Sequence, residues 1–351
     1  MADDAGTHDA TRRRHAFHAL TVRDVVDETP DTRTLVFDVP EDLAELYEYQ
    51  PGQFCTVRVT IEGRQVQRCY SMSSAPATDE HLAVTVKRVP GGLVSNWLLD
   101  RVSPGDELEL MPPSGVFCAD DRQAPILGFC GGSGVTPVFS IIKQALATGG
   151  RPIRLLDANR DAGSVIFSEA LDRLAAAHPD RFSVHHHLDA ERGYLTAEDV
   201  AAFVGRDTDA QVFVCGPTPF MDLVEAGVAA AGVPSDHVAI ERFVLVEPLE
   251  APAEPAAPDG TTLVVTIRRQ RHELQHVAGD TVLDAARRAG LNAPYSCEQG
   301  NCATCMALVT EGSVAMRTNN ALTPEEVDEG WVLTCQGVPE GPVVAVEYED
   351  L

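Results

Sequence analysis

Lysine is nearly missing from this chain. Lys87 and Lys143 are the only two in 351 residues, although lysine and arginine together number 27. Aspartate and glutamate number 53, which leaves a formal charge of −26. A surface of that sign excludes recognition of a phosphate backbone, so no nucleic-acid partner is expected. The acidity reads first as a solubility device and second as a means of steering a basic partner. The preference for arginine reads as codon usage or adaptation to salt. Also absent is any run of about 18 apolar residues, so no membrane-spanning helix is expected. The opening stretch MADDAGTHDATRRRH lacks the apolar segment of a secretory signal. A cytoplasmic protein is expected, with residues 1–14 as a polar tail. No internal repeat is visible.

What is present divides into three pieces. Residues 15–119 contain short β-rich segments such as TRTLVFDV, FCTVRVTI and LAVTVKRV. Turn signals at Gln50-Pro51-Gly52, Pro90-Gly91-Gly92 and Ser103-Pro104-Gly105 separate them, the pattern of an antiparallel barrel. Residues 120–247 alternate apolar strands (ILGFC, IRLLDA, FSVHHH, QVFVC, HVAIER) with helical segments. That alternation predicts a parallel sheet with helical crossovers. The stretch 248–260 is rich in Pro, Ala and acid and reads as a semi-rigid linker. In residues 261–351, TLVVTI and HELQHV predict a hairpin, and VLDAARRAG a helix that ends at Gly290.

Nine cysteines are present. Cys55, Cys69, Cys118, Cys130 and Cys215 are scattered singly, as small buried hydrophobes are. Cys297, Cys302, Cys305 and Cys335 are organised as C-x4-C-x2-C with a fourth after twenty-nine intervening residues, the plant-type [2Fe–2S] spacing. Three thiolates then come from one tight loop, and Gly300 leaves room for amides to approach the sulfurs. A cluster of this type works near roughly −400 mV. Structural zinc is the alternative, but it prefers paired C-x2-C knuckles and only one occurs here.

Two further stretches suit cofactors. Arg68-Cys69-Tyr70-Ser71 offers a guanidinium for phosphate, a ring to stack and a hydroxyl for an isoalloxazine edge. The glycine turn Gly91-Gly92 opens a helix whose N-terminus would face a pyrophosphate. Cys130-Gly131-Gly132-Ser133-Gly134-Val135-Thr136-Pro137 follows an apolar strand and precedes a helix, the setting of a dinucleotide loop, although it is not G-x-G-x-x-G. Its glycines would let phosphates approach, Thr136 would cap, and Pro137 suits the first turn. In LLDANRDAG, Arg160 stands alone between Asp157 and Asp161, which favours NADH over NADPH.

The segment TVLDAARRAGLNAPYSCEQGNCATC resembles the cluster region of plant-type ferredoxins, and the tail from Cys305 to Gln336 resembles ferredoxin domains fused behind oxygenase reductases. The elements around Arg68–Ser71 and Gly92–Ser95 resemble the flavin domain of the ferredoxin–NADP reductase superfamily. The resemblance implies a β-barrel flavin domain, an α/β nicotinamide domain and a β-grasp ferredoxin domain. It places Arg68, Cys69, Tyr70, Ser71, Val86, Lys87, Gly92, Leu93, Val94, Ser95 and Thr136 around the flavin, with Phe243 over the face that the nicotinamide must reach. FAD is favoured over FMN because a pyrophosphate site is expected. Gly131, Gly132, Ser133, Gly134, Thr136, Pro137, Asn159, Arg160, Cys215, Gly216, Pro217 and Met221 are assigned to the nicotinamide cofactor. Ser71, Cys215 and Phe243 would position the hydride transfer, Cys215 by packing rather than as a reactive thiol.

The implied order of sites is that of a two-to-one electron transformer in which the cofactors do the chemistry. The whole chain resembles reductase components of oxygenase systems. Those of 3-ketosteroid 9α-hydroxylases, which serve a Rieske non-haem iron oxygenase, are the favoured likeness. The phenylacetyl-CoA epoxidase type, which serves a di-iron enzyme, comes second, and a redox sensor third. The linker is expected to let the ferredoxin domain face first the flavin and then the partner. His185-His186-His187 reads as a solvated strand edge rather than a metal site.

Overall fold

The computed structural model describes residues 14–243 and 258–348. Most of the expected linker and the first thirteen residues lie outside them.

Six antiparallel strands make the first sheet: β1 (His18–Thr29), β2 (Thr32–Asp38), β3 (Phe54–Ile61), β4 (Arg64–Ser71), β5 (Leu82–Lys87) and β6 (Glu107–Leu110), in the order β4-β3-β6-β1-β2-β5. A bridge between Met72 and Val84 brings the two outer strands together and closes the sheet as a barrel. The alternating apolar residues of these strands face inward, and Leu20, Val22, Leu35, Phe37, Val57, Val84 and Leu110 pack with Leu98 of the helix Leu93–Arg101. Closure sets the chain just after β4 beside β5.

The second sheet is parallel: β7 (Ile126–Gly131), β8 (Ile153–Asn159), β9 (Phe182–Leu188), β10 (Gln211–Gly216) and β11 (Val238–Arg242), in the order β11-β10-β7-β8-β9. Its central strands β7 and β10 are buried along their whole length, as a sheet covered by helices on both faces requires. The strand order reverses between β7 and β10, so the loops after these two strands flank the crevice where such sheets bind ligands.

The third sheet is mixed: β12 (Pro258–Ile267), β13 (Gln270–Val277), β14 (Met306–Met316), β15 (Trp331–Leu333) and β16 (Gly337–Glu347), in the order β13-β12-β16-β14-β15. Only β12 and β16 run parallel. The helix Val282–Arg288 covers the sheet. It starts at Thr281, whose side chain and Asp284 form a reciprocal capping box, and Gly290 follows with φ +73°. Trp331 is the largest wholly buried side chain.

The expected architecture is borne out in all three sheets. The His185–His187 reading is corrected. His186 Nδ1 lies 3.1 Å from Asp157 Oδ2, and His187 Nε2 is 2.9 Å from the Gly193 carbonyl. Only His185 is exposed. The triplet runs along β9 beside a carboxylate buried in β8, and the aspartate raises the His186 pKa through that hydrogen bond.

Candidate functional site

The barrel and the parallel sheet are joined by a polar seam. Ser140 Oγ donates to the Ser74 carbonyl at 2.5 Å, and Lys143 Nζ reaches Asp79 at 2.6 Å. This seam fixes the end of β4 beside the end of β11. Ser71 Oγ donates to Glu241 Oε2 at 2.8 Å. Arg68, Cys69, Ser71, Glu241 and Phe243 line one cleft together with Ser296, Cys297 and Gln299 of the cysteine loop. Burial pushes the Glu241 carboxyl up to about 7, against the opposing bond from Ser71. Sequence reasoning missed Glu241, because a single carboxylate in HVAIER carries no pattern of its own.

The helix Leu93–Arg101 has neither a side-chain cap nor an acidic residue in its first turn. Its first N–H groups are therefore left for an anion. Gly92 cannot carry a side chain, because a Cβ there would come within 2.6 Å of Ser95 Oγ. Lys87 ends β5 half-buried, and burial lowers its pKa. A Cβ on Gly132 would stand 3.5 Å from Lys87 Nζ, so the flavin-side strand and the glycine loop are neighbours. These residues fit a dinucleotide with a negatively charged centre.

The glycine loop is tighter than phosphate approach alone would require. A Cβ on Gly134 would lie 2.0 Å from the Cys215 carbonyl oxygen, and one on Gly131 would meet Pro217 at 2.9 Å. The loop Gly131–Pro137 and the turn Cys215–Pro217 are thus packed backbone to backbone at the switch between β7 and β10. Cys215 is wholly buried and its thiol is raised far above the usual range by desolvation, which suits packing and not reactivity. Met221 is buried in the helix Thr218–Ala230 behind it. One detail is corrected: Gly134 is the N-cap of the helix Val135–Thr148, and Thr136 instead donates back to the Ser133 carbonyl at 3.0 Å. Asp157 is buried and bonded to His186 and to Asn159 Nδ2 at 2.9 Å. Arg160 faces Asp31 of the barrel at 3.5 Å.

In the third domain the backbone N–H groups of Gln299 and Asn301 both point at Cys297 Sγ, each 3.4 Å away, and that of Cys297 points at Cys302 Sγ at 3.5 Å. Glu298 and Ala303 take left-handed backbone, φ +54° and +53°, as does Gly300 at +76°. Left-handed non-glycine residues cost energy and cluster at functional sites; here they curl the loop so that its amides face sulfur. Cys297 pairs with Cys302, and Cys305 with Cys335. Among the described residues no three His, Cys, Asp or Glu side chains gather tightly enough for a single ion. Two pairs of sulfurs fit a two-iron cluster better than one zinc ion.

The comparisons agree with this geometry. Residues 19–118 match an oxidoreductase FAD-binding domain, 129–226 an oxidoreductase NAD-binding domain, and 265–340 a 2Fe-2S iron-sulfur cluster binding domain. The ferredoxin reductase component of 3-ketosteroid-9-alpha-monooxygenase from Mycolicibacterium smegmatis is 42% identical over 341 residues, 94% of this chain and 97% of its own. The chain belongs to the reductase components of oxygenase systems. A component of 1,2-phenylacetyl-CoA epoxidase from Escherichia coli is 33% identical over 95% of this chain and 98% of its own. Phthalate dioxygenase reductase shares the fold of this reductase, with TM-score 0.59 at 24% identity over 95% of this chain and 98% of that one.

The cofactors of the reductase are FAD, NADH and a [2Fe–2S] cluster. When bound, they supply a two-electron acceptor beside a one-electron acceptor. The chain supplies their placement. The cysteine loop sits on the flavin side of the molecule: Ser114 Oγ donates to the Asn301 carbonyl at 2.6 Å, and Gln299 Nε2 donates to the Arg242 carbonyl at 3.0 Å. His15 Nε2 lies 2.9 Å from Glu326 Oε1, both almost wholly buried.

Proposed function

We propose that this reductase draws electrons from NADH and delivers them to a Rieske non-haem iron oxygenase of the 3-ketosteroid 9α-hydroxylase type. The observation that carries the electron route is the shared cleft, in which the strand end Arg68–Ser71 and the loop Ser296–Gln299 face each other. In this reading Arg68, Tyr70, Ser71, Lys87 and the turn Gly92–Ser95 hold FAD. Glu241 and Phe243 border the face where the nicotinamide arrives, and Gly131–Pro137 with Cys215–Pro217 receive its dinucleotide. Cys297, Cys302, Cys305 and Cys335 bind the cluster.

The choice of partner rests on the greater identity to the ketosteroid reductase, 42% against 33%, at nearly equal coverage. The di-iron epoxidase is the second reading. No helix among the described residues is long and apolar enough to cross a membrane, in keeping with two diffusing components. The test mixes the purified reductase and NADH with a 3-ketosteroid oxygenase or with a phenylacetyl-CoA epoxidase. Steroid hydroxylation with the first is the expected outcome; turnover with the second alone overturns the assignment.

A further inference from the structure

A cavity of about 440 Å³ lies between the barrel and the ferredoxin domain, walled by residues 64–68 of β4 on one side and 292–295 on the other. That volume is within the range of small-molecule sites. The two domains touch at its wall, where Thr304 Oγ1 lies 3.8 Å from Met111 Sδ. Four arginines line it, Arg58, Arg64, Arg68 and Arg268, and no aspartate or glutamate does. In a chain with 53 acidic residues against 27 basic ones, that bias runs opposite to the whole. Glu109 neutralises Arg58 through two bonds of 2.8 and 3.0 Å. Arg64, Arg68 and Arg268 have no carboxylate partner among the described residues, so their charge is left for an anion.

Arg268 is held there against its backbone preference. With Arg269 it forms the two-residue tip of the β12–β13 hairpin, and the pair have φ +50° and +62°. Such tips favour Asn-Gly, and left-handed backbone at other residues gathers at binding sites. Gln67, also on the cavity wall, has a buried Oε1 with no hydrogen-bond partner among the described residues. A buried acceptor of this kind wants a donor, which an adenine amino group or a ribose hydroxyl supplies. Across the cavity Tyr295 is braced by Arg287, whose guanidinium lies 3.7 Å from the ring centroid and bonds Glu298 at 2.6 Å.

Arg68 lines both this cavity and the cleft that contains Ser71, Glu241 and Phe243. Leu93, the first residue of the uncapped helix, also lines the cavity. A flavin with its ring in the cleft and its first phosphate at Arg68 therefore passes the helix N-terminus and enters the cavity. We propose that the adenosine-diphosphate half of FAD lies in this cavity, so that the ferredoxin domain completes the flavin site with Arg268 and Tyr295. Guanidinium planes suit this half, since they attract phosphate and stack on a base. FMN ends at Arg68 and leaves the cavity unfilled. A ligand that touches both domains binds more tightly when they are docked, and it favours the docked state by the same factor. FAD is thus a tie between the domains, and its selection over FMN depends on the ferredoxin domain. The inference rests on the placement of the flavin phosphate at Arg68 and the turn Gly92–Ser95.

The experiment strips the flavin from full-length, cluster-loaded protein and measures rebinding of FAD and of FMN by flavin fluorescence. Arg268→Asn removes the cation and suits the left-handed turn, so loss of the fold does not account for its effect. Its Kd for FAD should rise about tenfold or more, the size of one charged hydrogen bond, while that for FMN stays within about twofold. Arg64→Gln should act in the same sense. Hydrogen exchange at Ile267–Gln270 should slow when FAD binds and not when FMN binds. Equal affinity for the two flavins in the unaltered protein overturns the proposal, as does an unchanged Kd for FAD or an equal loss for both flavins in Arg268→Asn. Equal exchange rates with FAD and FMN overturn it too. Arg68→Gln should weaken both flavins; if it weakens neither, the placement of the flavin phosphate fails and the proposal falls with it.

Discussion

Ser71 Oγ and Glu241 Oε2 meet at 2.8 Å across the junction of the barrel and the parallel sheet. The carboxyl titrates at about 7 because it is desolvated there. Below that pH it is neutral; above it, a carboxylate faces the cleft and favours positive charge growing on an oxidised nicotinamide. The rate of flavin reduction by NADH should therefore rise with pH through about 7. In Glu241→Gln the rise should vanish in stopped-flow measurements across the range. The linkage to stability has the opposite slope. The folded state keeps the Glu241 proton at pH values where the unfolded chain has lost it, so stability falls as pH climbs from the ordinary carboxylate range through about 7. Glu241→Gln should flatten that decline in urea titrations.

The loop contacts Ser114–Asn301 and Gln299–Arg242 are neutral hydrogen bonds of about 0.5–1.5 kcal/mol each. Replacing both donors, as Ser114→Ala with Gln299→Ala, should slow reduction of the cluster by the flavin about five- to a hundredfold. Single-turnover absorbance at the iron–sulfur bands follows this step. It should also change little with salt, since neither bond involves a charge.

Gly134→Ala would drive a methyl group into the Cys215 carbonyl. One of the two loops must then move, and the dinucleotide crevice opens. The expected result is a raised KM for NADH of tenfold or more, with the flavin spectrum retained because the barrel is untouched.

Trp331 is 1% exposed, yet its Nε1 has no hydrogen-bond partner among the described residues. Trp331→Phe removes an orphaned donor along with some volume, so its cost should stay within about 1.5 kcal/mol. Trp331→Ala should cost about 3–5 kcal/mol. Chemical denaturation monitored by loss of the cluster bands separates the two.

Much of this arrangement was readable in the chain itself. FCTVRVTI and QVFVC are strands because their period and their apolar runs admit little else, and the four cysteines announce themselves by spacing. The helix from Val282 carries its own start and stop in Thr281, Asp284 and Gly290. What could not be read depends on pairs distant in sequence. Glu241 acquires meaning only from Ser71, 170 residues earlier, and Cys69 only from Ser296, 227 residues later. Asp157 in LLDANRDAG carries no pattern that names its partner; the register of β8 against β9 turns it toward His186. Local pattern names the elements; docking between them decides which side chains meet.

The contact of His15 with Glu326 ties the beginning of the described chain to its last domain. Glu326 is doubly engaged, since its second oxygen caps its own helix through the Thr323 amide at 2.8 Å. The ferredoxin domain is thus held covalently through the polypeptide that follows Phe243, and non-covalently by this clasp near the amino end in addition to the Ser114–Asn301 and Gln299–Arg242 bonds. A departure that exposed the cysteine loop to another protein would have to unfasten that clasp, and shortening the chain past His15 would abolish it.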